Sequence, residues 1–179
     1  MIEQEGRRLL MVYAAEAEGR LEHPLDVGGS PGLRLSWRWR VDEHPRGAEL
    51  GSDERDDHAL RLCARIEPDP ERPGERAARG LAVLLGGVGQ SLCYHWDPEL
   101  PAGQLAWSAD GNTRIVVLRG SETAPGSWQV ETRDLFEDFR TQFGGEPQRL
   151  RMLWVSARTA GTRARSLGYL ADLRIEPGG

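Results

Sequence analysis

Four carboxylates and an imidazole fall within six residues at Asp53, Glu54, Asp56, Asp57 and His58. That many donors in one loop can hold a hard cation if the backbone folds round it. Asp172 is a further oxygen donor, so Asp53, Asp56, Asp57 and Asp172 form the candidate calcium set. A second reading makes Asp56 or Asp57 a general acid or base, with Arg61 beside it. The third is a solvated or ion-paired loop in which an acid meets Arg61 or Arg38, the commonest fate of such a run. That reading is the expectation: one carboxylate of the pair reaches back to the Arg61 guanidinium, the other caps loop amides, and neither a catalytic group nor a cofactor is expected.

Arginines supply the other candidate chemistry. Arg38, Arg40, Arg61 and Arg65 occupy the polar positions of two alternating segments, with Glu131 on the polar side of a third. Cross-strand ion pairs explain them plainly. A binding reading makes them an arginine-lined face for an acidic sugar or small polar anion, gripped through bidentate contacts. Trp96 and Trp107 flank the loop Asp97 to Gly103, either packed into the structure or standing as a sugar-stacking platform. The candidate ligand set is therefore Arg38, Arg40, Arg61, Trp96 and Trp107. His23, His44, His58 and His95 show no metal-ligand spacing. Gly28-Gly29-Ser30-Pro31-Gly32 matches a nucleophile-elbow string, but a strand follows where a helix is required.

The elements that must position these groups are mostly strands. Leu33 to Asp42 alternates without a break, so Leu33, Leu35, Trp37, Trp39 and Val41 face a core and Arg34, Ser36, Arg38 and Arg40 face away. Leu60, Leu62, Ala64 and Ile66 repeat the pattern opposite Arg61, Cys63 and Arg65. Leu92, Tyr94 and Trp96 do so opposite Cys93 and His95. Trp128, Val130 and Thr132 are read as another inward set. Further strands are expected at Arg7–Ala15, Leu81–Leu85, Ile115–Leu118, Leu150–Ser156 and Leu167–Ile175. Residues 1–6 and 177–179 are read as tails, 43–57 as a polar loop, 86–89 as a turn, and 68–79 as a charged loop insertion. One helix is expected over about 135–143, with Asp134 as its cap, Glu137 completing a capping box and Gly144 ending it. Many short strands and one helix predict an all-β fold, an antiparallel β-sandwich or jelly roll spanning residues 1–179 as one domain.

The net charge of −5 argues against nucleic acid as a partner. No run approaches the roughly 18 apolar residues of a membrane-spanning helix, so the chain is not expected to be membrane-embedded. Composition leaves oligomeric state open. Compartment is open too: periplasmic or secreted if a signal has been removed, cytoplasmic otherwise. Cys63 and Cys93 both sit on the polar side of their strands and can pair only if those strands are neighbours; free thiols are the expectation.

Leu35-Ser36-Trp37-Arg38-Trp39-Arg40-Val41-Asp42, Asp56-Asp57 with Arg61, Leu92 to Trp96, Gly126 to Asp134, Asp138-Phe139, and Phe143-Gly144 with Pro147 together resemble a bacterial family, domain-of-unknown-function family 3047. The likeness runs from about Leu10 to Ile175. It implies a β-sandwich and no established activity. Where that family carries an acidic Asp-Thr-Asp-Asn-Thr-Gly segment, this chain reads Ser156-Ala157-Arg158-Thr159-Ala160-Gly161, without either carboxylate. Any ligand role of that segment is then lost or changed here. The closing strand Tyr169 to Ile175 is also similar to the last strand of jelly-roll carbohydrate-binding modules.

These readings converge on a non-catalytic binding module for carbohydrate or a polar cell-envelope component. The alternatives are a glycan-acting hydrolase or lyase built on Asp56 and Asp57, and a structural or protein-interaction domain.

Overall fold

In the computed structural model the described residues are 2–4, 7–28, 32–68, 89–109 and 111–178, with side chains described from Arg8 onward. The expected insertion at 68–79, the strand at Leu81–Leu85 and the turn at 86–89 lie outside them apart from Pro68 and Gly89. The chain order is β1 (Ile2–Gln4), β2 (Arg7–Ala15), β3 (Glu18–Gly28), β4 (Leu33–Glu43), β5 (His58–Pro68), β6 (Gln90–Trp96), β7 (Leu105–Trp107), β8 (Thr113–Arg119), β9 (Gln129–Asp134), α1 (Leu135–Phe143), β10 (Pro147–Arg158) and β11 (Arg165–Pro177). The strands form two sheets, β1-β2-β11-β4-β9 and β3-β10-β5-β6-β8-β7. They face each other as a β-sandwich.

The core follows from the alternation of β4. Its inward Trp37 and Trp39 meet Tyr94 and Trp96 of β6 across the sandwich, Trp37 stacking on Tyr94 at 5.2 Å between centroids and Trp39 lying 5.9 Å from Trp96. All four are buried. Burying 150–250 Å² of each ring contributes roughly 4–6 kcal/mol apiece before ordering entropy is counted. The helix closes one end with Phe136 and Phe139 in the same core. Asp134 caps it by accepting from the amides of Phe136 and Glu137, and Gly144 ends it at φ 73°. Glu137 turns to Arg140 rather than back to the cap.

Several expectations change. Ile2–Gln4 is not a tail: it pairs antiparallel with Arg7–Leu9. Glu18–Gly28, a stretch in which Pro24 and Gly28 are turn signals, is an edge strand on β10; Leu25 and Val27 alternate with exposed Asp26 and pack partly against the core. The sandwich is not wholly antiparallel, because β6 and β8 run parallel while β7 forms a hairpin with β8. The link 97–112 is long enough to carry the chain back for that crossover.

Strand β9 lies in the opposite register to the one expected. Trp37 pairs with Glu131, Arg38 with Val130 and Trp39 with Gln129, so Glu131 points inward and Trp128, Val130 and Thr132 point out. The buried Glu131 carboxylate accepts the Trp39 indole N–H at 2.9 Å and holds Arg119 through Nε at 2.7 Å and Nη2 at 3.1 Å. Three N–H donors from two side chains satisfy the charge, and the slip of one residue turns the whole strand over.

The outer face of the second sheet is also not simply solvated. Cys63 pairs directly with Cys93 in the β5–β6 ladder, their Cα atoms 4.0 Å apart, and the two form a disulfide. The expected free thiols are thus corrected: their strands are neighbours and their register coincides. The bridge packs with Ile115 and Trp154 in a second small core, onto which Leu50 of the 44–57 segment folds.

Candidate functional site

The four candidate arginines do not share a face. Arg38 and Arg40 lie on the outer surface of the first sheet, whereas Arg61 and Arg65 belong to β5 in the second. Around Arg38 and Arg40 the ladder gathers two aromatics. Tyr169 pairs with Arg40 from β11, and Trp128 extends β9 beside it. The Arg40 guanidinium carbon stands 4.5 Å from the Tyr169 ring centroid and 5.5 Å from that of Trp128. Arg38 stands 5.0 Å from Trp128. Cation–π contacts of this length orient a guanidinium without consuming its N–H groups.

Each arginine also has a carboxylate. Arg40 is held by Asp42 through Nε–Oδ1 and Nη2–Oδ2 contacts of 2.8 Å each, and Arg38 meets Asp172 at 3.5 Å. Asp172 reaches it because β11 bulges between Ala171 and Arg174, with Asp172 at φ 53°. Met11, paired with Tyr169, and Val130, paired with Arg38, continue the face and are 44% and 65% exposed. The result is a half-exposed strip in which aromatic rings, guanidinium donors and carboxylate acceptors alternate.

A second polar cluster is buried where the 44–57 segment crosses β5 and β6. Asp56 receives the Arg61 guanidinium on both oxygens, at 2.9 and 2.8 Å, and the Gly51 amide at 3.1 Å. Burial works against the Asp56 charge, but the Arg61 hydrogen bonds and charge hold its pKa below the ordinary value. The Asp57 side chain, with no exposed surface, accepts from the amides of Gly161 and Thr162 and from the Thr162 hydroxyl. One carboxylate therefore grips a guanidinium and the other caps a loop. Gly161 is fixed as glycine, since a Cβ there would lie 1.9 Å from the Glu54 carbonyl oxygen.

Three histidines surround this pair. In the tautomer the network requires, His58 donates from Nδ1 to the Asp56 carbonyl at 3.1 Å and accepts the Ser156 hydroxyl at Nε2, 2.8 Å away. His95 donates to Asp97 at 3.3 Å, and Asp97 in turn caps the amides of Glu99 and Leu100 at 2.8 Å. Burial lowers all three histidine pKa values, with that of His44 falling to about 4. His58 is neutral with its lone pair on a serine hydroxyl, the arrangement of a general base, yet the same burial makes it a weak one. The enclosed space among His44, Asp57, His58, His95 and Trp96 is about 10 Å³, room for about one water and for no sugar ring.

The remaining candidates separate. Trp96 is 1% exposed in the core, so it is corrected from ligand platform to packing residue. Arg61 is likewise corrected: it is 5% exposed and committed to Asp56. Trp107 is 44% exposed but stands on β7 of the second sheet, beside Phe143 and with Arg114 4.9 Å over its ring. Asp53 is exposed in the loop, and Asp172 lies with Arg38 on the first sheet, so the four carboxylates of the calcium set do not converge. Among the described residues no three His, Cys, Asp or Glu side chains are grouped to hold a metal ion. Neither Trp128 nor Tyr169 is among the sequence candidates: alternation places Trp128 on an inward face, and one tyrosine within β11 carries no signal of its pairing with Arg40. No helix among the described residues is long and apolar enough to cross a membrane.

The chain belongs to the family described as protein of unknown function (DUF3047), whose model matches residues 1–174. No curated protein matches it. Among solved structures it is similar to the catalytic domain of Humicola grisea Cel12A in complex with a soaked thio cellotetraose, at 14% identity and a TM-score of 0.44, over 91% of this chain and 73% of that one.

Proposed function

We propose that this protein is a non-catalytic binding module for carbohydrate or a polar cell-envelope glycan, and that the outer face of the first sheet takes the ligand. The observation that carries this reading is the Arg40 guanidinium lying against both the Tyr169 and Trp128 rings and fixed by Asp42. Sugars present apolar C–H faces edged by hydroxyls. A ring beside fixed donors and acceptors matches both at little cost in side-chain ordering. The rival catalytic reading rests on Asp56 and Asp57: Asp56 is committed to Arg61 and the Gly51 amide, and Asp57 to the 161–162 turn beside a space too small for a sugar ring.

A glycan array probed with the wild-type chain and with Trp128→Ala tests the proposal. Binding by the wild type that is lost in the variant, with unchanged melting temperature, supports it. An array without a hit, or hits that survive the substitution, overturn it. Docking of another protein is the second reading, favoured by exposed Met11, Tyr13 and Val130 on the same face, and it predicts loss of partner binding on Val130→Asp while glycans never bind.

A further inference from the structure

The strip's charges determine which class of glycan fits it, an inference that rests on the glycan-binding reading above. Arg38 and Arg40 contribute two positive charges, and Asp172 and Asp42, in contact with them, contribute two negative ones. Each pair sets a guanidinium edge next to a carboxylate edge. A neutral vicinal diol matches such a pair, since one hydroxyl accepts from the guanidinium while its neighbour donates to the carboxylate. A uronate does not match, because its carboxylate would approach an arginine already ion-paired with Asp42 and would be repelled by that aspartate at close range.

We infer that the Arg40–Asp42 and Arg38–Asp172 pairs make this face selective for neutral glycans through vicinal hydroxyls and exclude the carboxylated ones. Arginines at this surface, taken alone, point to an acidic sugar; the aspartates reverse that preference. Asp172 is the specificity-determining residue least visible in sequence, since it reaches Arg38 only through the β11 bulge.

The test uses hexose oligomers of the gluco, galacto and manno series, each beside its C6-oxidised, carboxylate-bearing counterpart, titrated calorimetrically into the full chain at about 50 and 500 mM salt. The neutral member of at least one pair binds at least ten-fold tighter than its oxidised partner, with little salt dependence. In Asp42→Asn/Asp172→Asn the preference shifts toward the oxidised member and becomes salt-sensitive, as unpaired guanidiniums require. A wild-type preference under three-fold, or one for the carboxylate, overturns this inference and leaves the binding module standing. No binding by any member overturns both.

Discussion

Trp39 donates its indole N–H to Glu131 across the β4–β9 ladder at 2.9 Å, and this single bond sets the orientation of the surface opposite. With Glu131 turned into the core, its strand neighbours Val130 and Thr132, and Trp128 beyond, must turn outward. The strip around Arg38 and Arg40 exists because a carboxylate is buried on the other side of the strand.

Glu131→Ala is therefore expected to be strongly destabilising. It leaves the Trp39 indole without its acceptor and strips Arg119 of its partner, a loss of roughly 2–4 kcal/mol for a buried, charge-assisted arrangement. Chemical denaturation measures it. A variant as stable as the parent shows that the bond does not hold the register.

Asp57→Asn is expected to lower stability by roughly 1–3 kcal/mol, because the carboxylate ties the 161–162 turn to the start of β5 through three hydrogen bonds. Ligand binding should then fall only with the folded fraction. Unchanged melting together with abolished binding would move the site to this loop.

Alternation disclosed the strands whose two faces differ in polarity, as in β4, and the helix was legible from its two caps. The edge strand β3 was not, since Pro24 and Gly28 read as turn signals and its inward set is only Leu25 and Val27, partly buried. Nor was the register of β9, where Trp128, Val130 and Thr132 imitate an inward face while the true inward residue is a glutamate. That one acid of the Asp56–Asp57 pair reaches Arg61 while the other caps loop amides was readable from their spacing; which acid does which was not. That the loop would bury both, with His58 and His95, depends on its fold over the second sheet, which no local pattern encodes.

The disulfide between Cys63 and Cys93 closes a segment with a sequence separation of 30. Loop-closure entropy then contributes about 3–4 kcal/mol to stability. Melting with and without reductant checks this, as does Cys63→Ser/Cys93→Ser, and an unreduced mass equal to the reduced one would show the thiols free.

Stability should fall on mild acidification. The folded state holds His44, His58 and His95 neutral, so as pH drops below about 6.5 the unfolded chain takes up protons first and gains on the folded one. Their contribution is complete above that pH. For His44, lowered to about 4, it amounts to at most roughly 3 kcal/mol, lost progressively down to that pH. A second decline follows below about pH 4, where the acids with lowered pKa, Asp56 and Asp97, begin to protonate in the unfolded state. Denaturation midpoints at pH 7.5 and 5 report the first step, and His44→Gln should shrink it. Equal midpoints would contradict the buried neutral histidines.

The site itself is tested most directly through the indole N–H resonances of the six tryptophans. Titrated with the neutral oligosaccharide that binds best, the Trp128 signal should shift in proportion to occupancy, while those of Trp37, Trp39 and Trp96 stay in place within the core. Saturation that leaves Trp128 unmoved, with Trp107 or no tryptophan responding, would contradict the assignment of the binding face.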